Sequence, residues 1–599
     1  MKLKDLISPF FVWQRAFEKP YTVSMRPIEE RPGAPAYRGF HINLSEDCVG
    51  CGSCYTICQN HAIDMVEVEG LEAKSGDSGL RPRFDYGRCC WCGLCVDICT
   101  AGSLRMSNEY AWFTTDADEF RFVAGVENKS WDGRTGGYHR HPDYHLFPPK
   151  RVEMDMLGPE ESVESFTEVV KGYSEEQARL EADRCVECGI CVATCPAHMD
   201  VPDYIRSIRD GDYEKGLKLM YRTNPFPATC GRICTRRCEE VCPVGILGEP
   251  VAIRWLKRFI VDQVPAQEYQ RILNDQPGSS GRRVAVIGAG PGGMSAAYYL
   301  RRKGHAVTVF EAEDKAGGML RYGVPSYRLP DAALDKDLEY IRSLGVEMKF
   351  NTRVGRDIQL AELLDGYDAV FISTGLWVPS SMRIQGEDHP RVMAGLRVLD
   401  EVANGRDPGI GKSVAVIGGG NAAMDAARVS RRLGAEVTIL YRRRIEDMPA
   451  DPEEIHEAQA EGVRIVIQAI PVEVTDAEQP GRVAIKWGEA EMVPDPKGGR
   501  PRPVLQEDRM HLDSFDTIIS AIGQGSDLDF ISKQDQEQLE VKWGKFIAGD
   551  YQATRMQKLF VGGDVANRTA DAISAIEDGH HAARGIDRFL TGSAGSGTP

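Results

Sequence analysis

Sixteen of the seventeen cysteines fall in four runs of four. Cys48, Cys51, Cys54 and Cys58 form the first run, and Cys89, Cys92, Cys95 and Cys99 the second, both spaced C-x2-C-x2-C-x3-C. Cys185, Cys188, Cys191 and Cys195 repeat that spacing before Pro196. Cys230, Cys234, Cys238 and Cys242 are spaced C-x3-C-x3-C-x3-C before Pro243. Three thiolates this close together wrap one corner of a [4Fe–4S] cube, and the fourth reaches the other cube of a pair. Zinc is the competing reading for any CxxC pair, and three identical runs disfavour it. Four cubes are expected. In the first pair, crossing puts Cys48, Cys51, Cys54 and Cys99 on one cube and Cys89, Cys92, Cys95 and Cys58 on the other. The seventeenth thiol, Cys90, completes no spacing. It is expected to be a small buried side chain or a weak S–H donor beside a cluster, not a ligand.

Two glycine-rich turns suit phosphate. Gly288, Gly290 and Gly293 follow the strand RRVAVI and open the helix SAAYYLRRKG. Such glycines let the backbone approach a pyrophosphate at a helix N-terminus. The next strand ends in Glu311, a carboxylate able to accept hydrogen bonds from a ribose diol, which fits the AMP half of FAD or NAD. The sequence VAVIG recurs 130 residues on, at Val414–Gly418, and HAVTVFE (305–311) aligns with AEVTILY (435–441). The second turn, GGGNAAMD, holds Gly418, Gly420, Asn421, Ala422 and Ala423. At the same offset Tyr441 replaces Glu311, and Arg442, Arg443 and Arg444 follow. Guanidinium groups suit a 2′-phosphate. The first site therefore expects a free ribose and the second a phosphorylated one, NADP(H). The alternative is a solvated charged turn, which leaves NADH as the substrate.

These residues need several domains to hold them, and 599 residues exceed a single core. A multidomain α/β chain is expected. Residues 1–38 read as an N-terminal docking arm, less readily as a membrane-surface helix. Residues 39–150 read as a two-cluster domain with an aromatic, Gly-rich extension, and 151–274 as a helical two-cluster domain. Residues 282–411 with 526–590 read as an FAD domain, 412–525 as an inserted NADPH domain and 591–599 as a disordered tail. DQPGSSG (275–281) is a linker by composition. The net charge of −17 argues against nucleic acid and anionic membranes. No apolar run approaches the roughly 20 residues of a membrane span. All cysteines lie between 48 and 242, a distribution that points to reduced thiols and the cytoplasm rather than to a secreted disulfide framework. YHRHPDYH (138–145) has three histidines but no thiolate, and reads as a surface loop.

Residues from about 10 to 112, including EKPYTV, YRGFHI and LRMSNEY, resemble the two-cluster ferredoxin-like subunit of respiratory complex I. Gln59 and Thr100 stand where such motifs have proline. Residues from about 160 to 590 resemble the small subunit of glutamate synthase. They are also similar to the large subunit of NADH-dependent ferredoxin:NADP oxidoreductase and the N-terminal part of dihydropyrimidine dehydrogenase. RCVECGICVATCP, NPFPATCGRICTRRCEEVCP and GEPVAIRWLKRF carry that match. It implies that Cys185, Cys188, Cys191 and Cys242 share one cluster while Cys195, Cys234 and Cys238 hold the other. Relatives supply a Glu or Gln as the fourth ligand of the latter. Lys257 stands there, so Cys230 is the candidate. The resemblance also puts GGMLRYGVP (317–325), with Gly318, Met319, Leu320 and Tyr322, against the flavin. It gives Pro291, Gly292, Thr374, Gly375, Gly563, Asp564 and Ala572 to the FAD site, and Gly523 of AIG to the NADPH site.

An NADPH:acceptor oxidoreductase subunit is the expected function. Hydride would pass from NADPH C4 to flavin N5, and single electrons through four clusters to or from a partner subunit or ferredoxin. No side-chain acid or base is required, so no catalytic residue is expected. A flavin-based bifurcating complex and a non-catalytic relay subunit are the alternatives. The glutamate synthase role is disfavoured, because that subunit has no N-terminal ferredoxin module. The nucleotide domains contain no CxxC, which disfavours disulfide reduction.

Overall fold

The computed structural model describes residues 13, 16–18, 33–141, 147–275, 278–495 and 498–592. The arm expected over 1–38 and the tail over 591–599 lie largely outside them, as does the second half of YHRHPDYH. Contacts divide the chain into two compact units, Met1–Pro149 with Ile246–Gly248, and Lys150–Gly245 with Glu249–Pro599.

The first unit is small and held by short elements. Strand His41–Asn43 pairs antiparallel with Leu104–Met106. Ile63–Glu67, Leu80–Asp85 and Arg121–Val123 form an antiparallel sheet. Two one-turn helices, Ser53–Ile57 and Leu94–Asp97, pack on each other and carry cysteines. Aromatic side chains supply the core that such short strands cannot: Phe84, Phe122 and Trp131 are buried with Ile42, Val96 and Met106. Between 107 and 149 the regular elements are the turn Ala117–Phe120 and the strand Arg121–Val123.

In the second unit, residues to about 273 are helical. Helix Val201–Asp210 starts on Pro202 in its first turn and stops at Gly211, whose φ of 72° few other residues adopt. Helix Ile253–Gln263 lies close on Pro227–Ile233. A Cβ on Gly231 would stand 2.9 Å from Arg258 Cα, so glycine permits that approach.

Two five-stranded parallel sheets follow. The first runs Leu559–Val561, Ala369–Ile372, Arg283–Ile287, Ala306–Phe310, Glu347–Lys349. The second runs Val392–Ala394, Thr517–Ser520, Ser413–Ile417, Glu436–Tyr441, Arg464–Ile467. Their central strands are continuous apolar runs, as helices on both faces require. Helix Pro291–Arg302 and helix Asn421–Arg432 occupy matching places at the same 130-residue offset. Val392–Ala394 belongs to the second sheet, so that domain begins upstream of the expected boundary at 412. This strand carries no glycine-rich signature, and only its pairing to Thr517–Ser520 reveals it. An antiparallel meander, Ala469–Asp476, Val483–Val493 and Arg502–Phe515, adjoins the second sheet.

Candidate active site and cluster sites

Three cysteine runs share one backbone device. The residue before the second cysteine is left-handed in each: Gly50 at φ 61°, Trp91 at 54° and Glu187 at 55°. The glycine after that cysteine is left-handed too, Gly52 at 72°, Gly93 at 80° and Gly189 at 77°, and caps a short helix. This curls the chain so that successive thiols face one point. The fourth run uses Arg236 at φ 61° instead. A non-glycine residue there is uncommon, and Arg236 is held by Asp451 at 2.6 Å and by Glu453.

In the first unit the thiols group across the runs. Burial pushes the Cys48 thiol up against the lowering effects of the Gly50 backbone and Arg81, and Cys99 and Cys51 add smaller raising effects. Burial pushes Cys89 up to about 11, with Cys58 and Cys92 among its neighbours. Cys95 is raised by burial and then by Cys89, Cys92 and Cys58. Cys54 is raised by burial and by Cys51, Cys95, Cys99 and Cys48, so it faces its own group and one thiol of the other. Among the described residues no three such groups close tightly enough for a single metal ion. Cys90 is exposed, not buried as expected, beside the left-handed Trp91. Cys92 is exposed as well.

In the second unit Cys185, Cys188, Cys191 and Cys242 line one small cavity with Val201, Ile205 and Val251. The remaining thiols, Cys195, Cys230, Cys234 and Cys238, surround Lys257. Lys257 is 4% exposed. Burial pulls its pKa down, but the charge interactions with Cys234, Cys230, Cys195 and Cys238 outweigh that and leave it raised. Cys230 is fully buried, and burial pushes its thiol up to about 12 against the pull of Lys257.

A cleft of about 760 Å³ runs between the two sheets and the fourth cysteine run. Gly288, Gly290, Pro291 and Gly292 line one end, where helix Pro291–Arg302 begins with Gly290 as its cap. Gly293 lies beneath them: a Cβ there would overlap Gly288 O at 1.9 Å. Glu311 lines the cleft and accepts from Ala289 N at 2.7 Å and Glu313 N at 3.0 Å. Its carboxyl is raised by burial. Gly318, Met319, Leu320, Thr374, Gly375, Gly563, Asp564 and Ala572 line the middle. Asp564 Oδ1 and Thr374 Oγ1 are buried with no protein partner. Orphaned polar atoms over a glycine cradle fit the ribityl and phosphate groups of FAD. Burial holds the Asp564 carboxyl up at about 6. Tyr322 does not line the cleft; its hydroxyl donates to Asp314 Oδ1 at 3.1 Å. Cys234 of the fourth run also lines it, as do residues not foreseen, notably Thr235, Arg328, Trp377 and Asp425. Of these Trp377 stands two residues after STG (373–375), a signal that sequence reading could have used.

Asn421 and Ala422 line the same cleft from the second sheet, where helix Asn421–Arg432 starts after Gly420. Gly418 takes φ 148° and Gly523 φ 132°. Tyr441 fills the place of an acid: its hydroxyl donates to Asp447 O at 2.8 Å, and its ring packs under Gly419. Arg442 is exposed. Arg443 Nε donates to Pro501 O at 3.1 Å. Arg444 is tied to Asp447 at 2.9 Å, so its charge is already answered.

Two parallel-sheet nucleotide domains around one cleft, with grouped thiols beside it, define a flavin- and pyridine-nucleotide-dependent oxidoreductase with iron–sulfur domains. Family models agree: pyridine nucleotide-disulphide oxidoreductase matches residues 282–579, dihydropyrimidine dehydrogenase domain II with its 4Fe-4S cluster matches 162–269, and a 4Fe-4S dicluster domain matches 47–103. The Escherichia coli (strain K12) glutamate synthase [NADPH] small chain is 33% identical over 71% of this chain and 94% of its own length. The chain belongs to the family that includes this glutamate synthase small chain. The oxidoreductase AegA of the same organism is 30% identical over 91% of this chain and 86% of its own. The NADP(+)-dependent formate dehydrogenase subunit beta of Moorella thermoacetica is 39% identical over 67% of this chain. There the match spans 60% of the relative, less than two thirds of its length. Among the described residues no helix is long and apolar enough to cross a membrane.

Proposed function

We propose that this chain is the NADPH-oxidising, or NADP-reducing, electron-transfer subunit of a larger redox enzyme. The observation that carries the reading is a shared cleft: Cys234 and Thr235 line it together with Gly318, Met319 and Ala572. When bound, the flavin exchanges a two-electron hydride for single electrons, and the clusters carry those electrons singly. The protein's part is to hold these groups in place. Glu311 and the turn Gly288–Gly293 orient the adenosine and pyrophosphate. Asp564 and Thr374 take the ribityl hydroxyls. Helix Ala572–Thr591, capped by Asp571, directs its N-terminus at the flavin ring. Arg442 and Arg443 meet the 2′-phosphate; Arg444 positions the turn through Asp447.

Four [4Fe–4S] clusters are assigned, with ligand sets Cys48, Cys51, Cys54, Cys99; Cys58, Cys89, Cys92, Cys95; Cys185, Cys188, Cys191, Cys242; and Cys195, Cys230, Cys234, Cys238. The mutual charge effects among these thiols support the grouping. The raised pKa values of the buried thiols Cys89, Cys95 and Cys230 fall away once metal binds, since ligation displaces the protons. Cysteines kept reduced for cluster ligation favour a cytoplasmic site. The partner is another redox subunit or ferredoxin; that the relatives are a formate dehydrogenase subunit beta and a glutamate synthase small chain supports the former. Anaerobic rapid mixing tests the assignment: NADPH bleaches the flavin band of the native chain. A flavin that stays oxidised favours a non-catalytic relay.

A further inference from the structure

His41 lies in the first unit, in the strand of the YRGFHI segment, and is buried at 1% exposure. Each of its polar atoms has a partner. Its backbone N–H donates to Tyr86 Oη at 2.6 Å, and its carbonyl accepts from Trp131 Nε1 at 3.1 Å. Its Nδ1 lies 3.0 Å from the same Tyr86 Oη, and its Nε2 lies 3.3 Å from Cys95 Sγ. The ring stacks on Phe84 with centroids 4.1 Å apart.

These contacts allow either tautomer, and a ligating Cys95 selects the one with its proton on Nε2. Tyr86 Oη already accepts from the His41 backbone, so its own hydrogen is free to donate, and Nδ1 is the acceptor in reach. A ring accepting at Nδ1 carries its proton on Nε2. That proton points at Cys95 Sγ. A thiolate is the acceptor there, because a ligating sulfur carries no hydrogen.

We propose that His41 is a positioning residue that donates an Nε2–H···S hydrogen bond to Cys95 and thereby raises the reduction potential of the cluster held by Cys58, Cys89, Cys92 and Cys95. The inference rests on the ligand assignment above. The physical cause is simple: reduction adds negative charge to the cluster and its sulfurs, so a fixed donor stabilises the reduced state more than the oxidised one. One electron is added, no bond forms or breaks, and the proton stays on Nε2. Tyr86 acts one step back, by holding the tautomer, and Phe84 holds the ring plane. In the other half of the module the contact is of a different kind, Ser53 Oγ at 3.3 Å from Cys51 Sγ.

The test is an electron-paramagnetic-resonance redox titration of the full, cluster-loaded chain, with iron counted on each sample. In His41→Phe, which keeps an aromatic ring on Phe84, the affected cluster is about tenfold more oxidised at a fixed ambient potential. For a one-electron couple that is a shift of about 59 mV to lower potential. Tyr86→Phe keeps the imidazole and shifts the same signal the same way by less. His41→Gln, which restores an N–H donor, recovers part of the loss. Wild-type iron with an unchanged potential in both His41→Phe and Tyr86→Phe overturns the inference and leaves the ligand assignment standing. A Cys95→Ser chain with full iron and an unchanged spectrum overturns the assignment, and the inference with it.

Discussion

Cys234 of the iron–sulfur domain and Met319 of the flavin domain line the same cleft. One belongs to the run that surrounds Lys257, the other to the loop GGMLRYGVP. Two ion pairs at the adjoining turn hold this arrangement: Arg236 with Asp451 of the nucleotide domain, and Arg237 with Asp571 at the start of helix Ala572–Thr591. The thiol run is therefore fastened to both nucleotide domains between its second and third cysteines.

We propose that cofactor specificity resides in Arg442 and Arg443. Each charge-assisted bond to a phosphate contributes about 1.5–3 kcal/mol. Replacing both with Ala raises KM for NADPH by roughly two orders of magnitude and leaves KM for NADH nearly unchanged. Arg444→Ala has a smaller effect, because Asp447 already holds that guanidinium. Steady-state kinetics with both nucleotides checks this; equal losses with NADPH and NADH contradict it.

Asp564 gives a pH signature. Its carboxyl is raised from 3.8 to about 6 by burial in the flavin-free protein. The unfolded chain loses that proton first, so stability falls as pH rises from about 4 to 6, and the full cost is present above that. Two pKa units correspond to about 3 kcal/mol. Asp564→Asn removes the cost: it raises the Tm of flavin-depleted protein at pH 8 and not at pH 4. The same variant retains less FAD. Thermal melts at the two pH values, with flavin content, check both statements.

We propose that Cys230 supplies the fourth ligand that Lys257, its charged neighbour, cannot. Lys257 cannot ligate iron, and Cys230 stands within reach of it and Cys234. Cys230→Ala loses about four irons per chain, the content of one cube. Adding Lys257→Gln restores a fourth ligand and recovers part of that iron. Cys90→Ala, at an exposed thiol, loses none. Iron analysis of the purified variants decides these; full iron in Cys230→Ala contradicts the ligand set.

Much of this molecule is legible in its sequence because its chemistry is local. Thiol spacing dictates which cysteines wrap one corner of a cube, and the glycines at 288, 290 and 293 are required wherever backbone meets pyrophosphate. The 130-residue repeat carries over into strands and helices, since Arg283–Ile287 and Ser413–Ile417 do the same work in two sheets. Contacts distant in sequence leave no such trace. The strand Val392–Ala394 is three residues without a motif. Arg236 looks like one basic residue among several until Asp451 and Glu453 are seen around it. His41 gains meaning only when Tyr86 and Cys95 are brought to its two ring nitrogens. Arg444 matches a nucleotide-binding pattern, yet three residues on Asp447 takes its charge.

The central claim is that electrons leave the flavin by the cluster at Cys234. Rapid mixing of NADPH with anaerobic Cys234→Ala protein tests it most directly, by following the flavin band and the iron–sulfur signals together. The account predicts that the flavin still bleaches at the wild-type rate while reduction of the remaining clusters slows by at least tenfold. Clusters that reduce as fast as in the wild-type chain would contradict it.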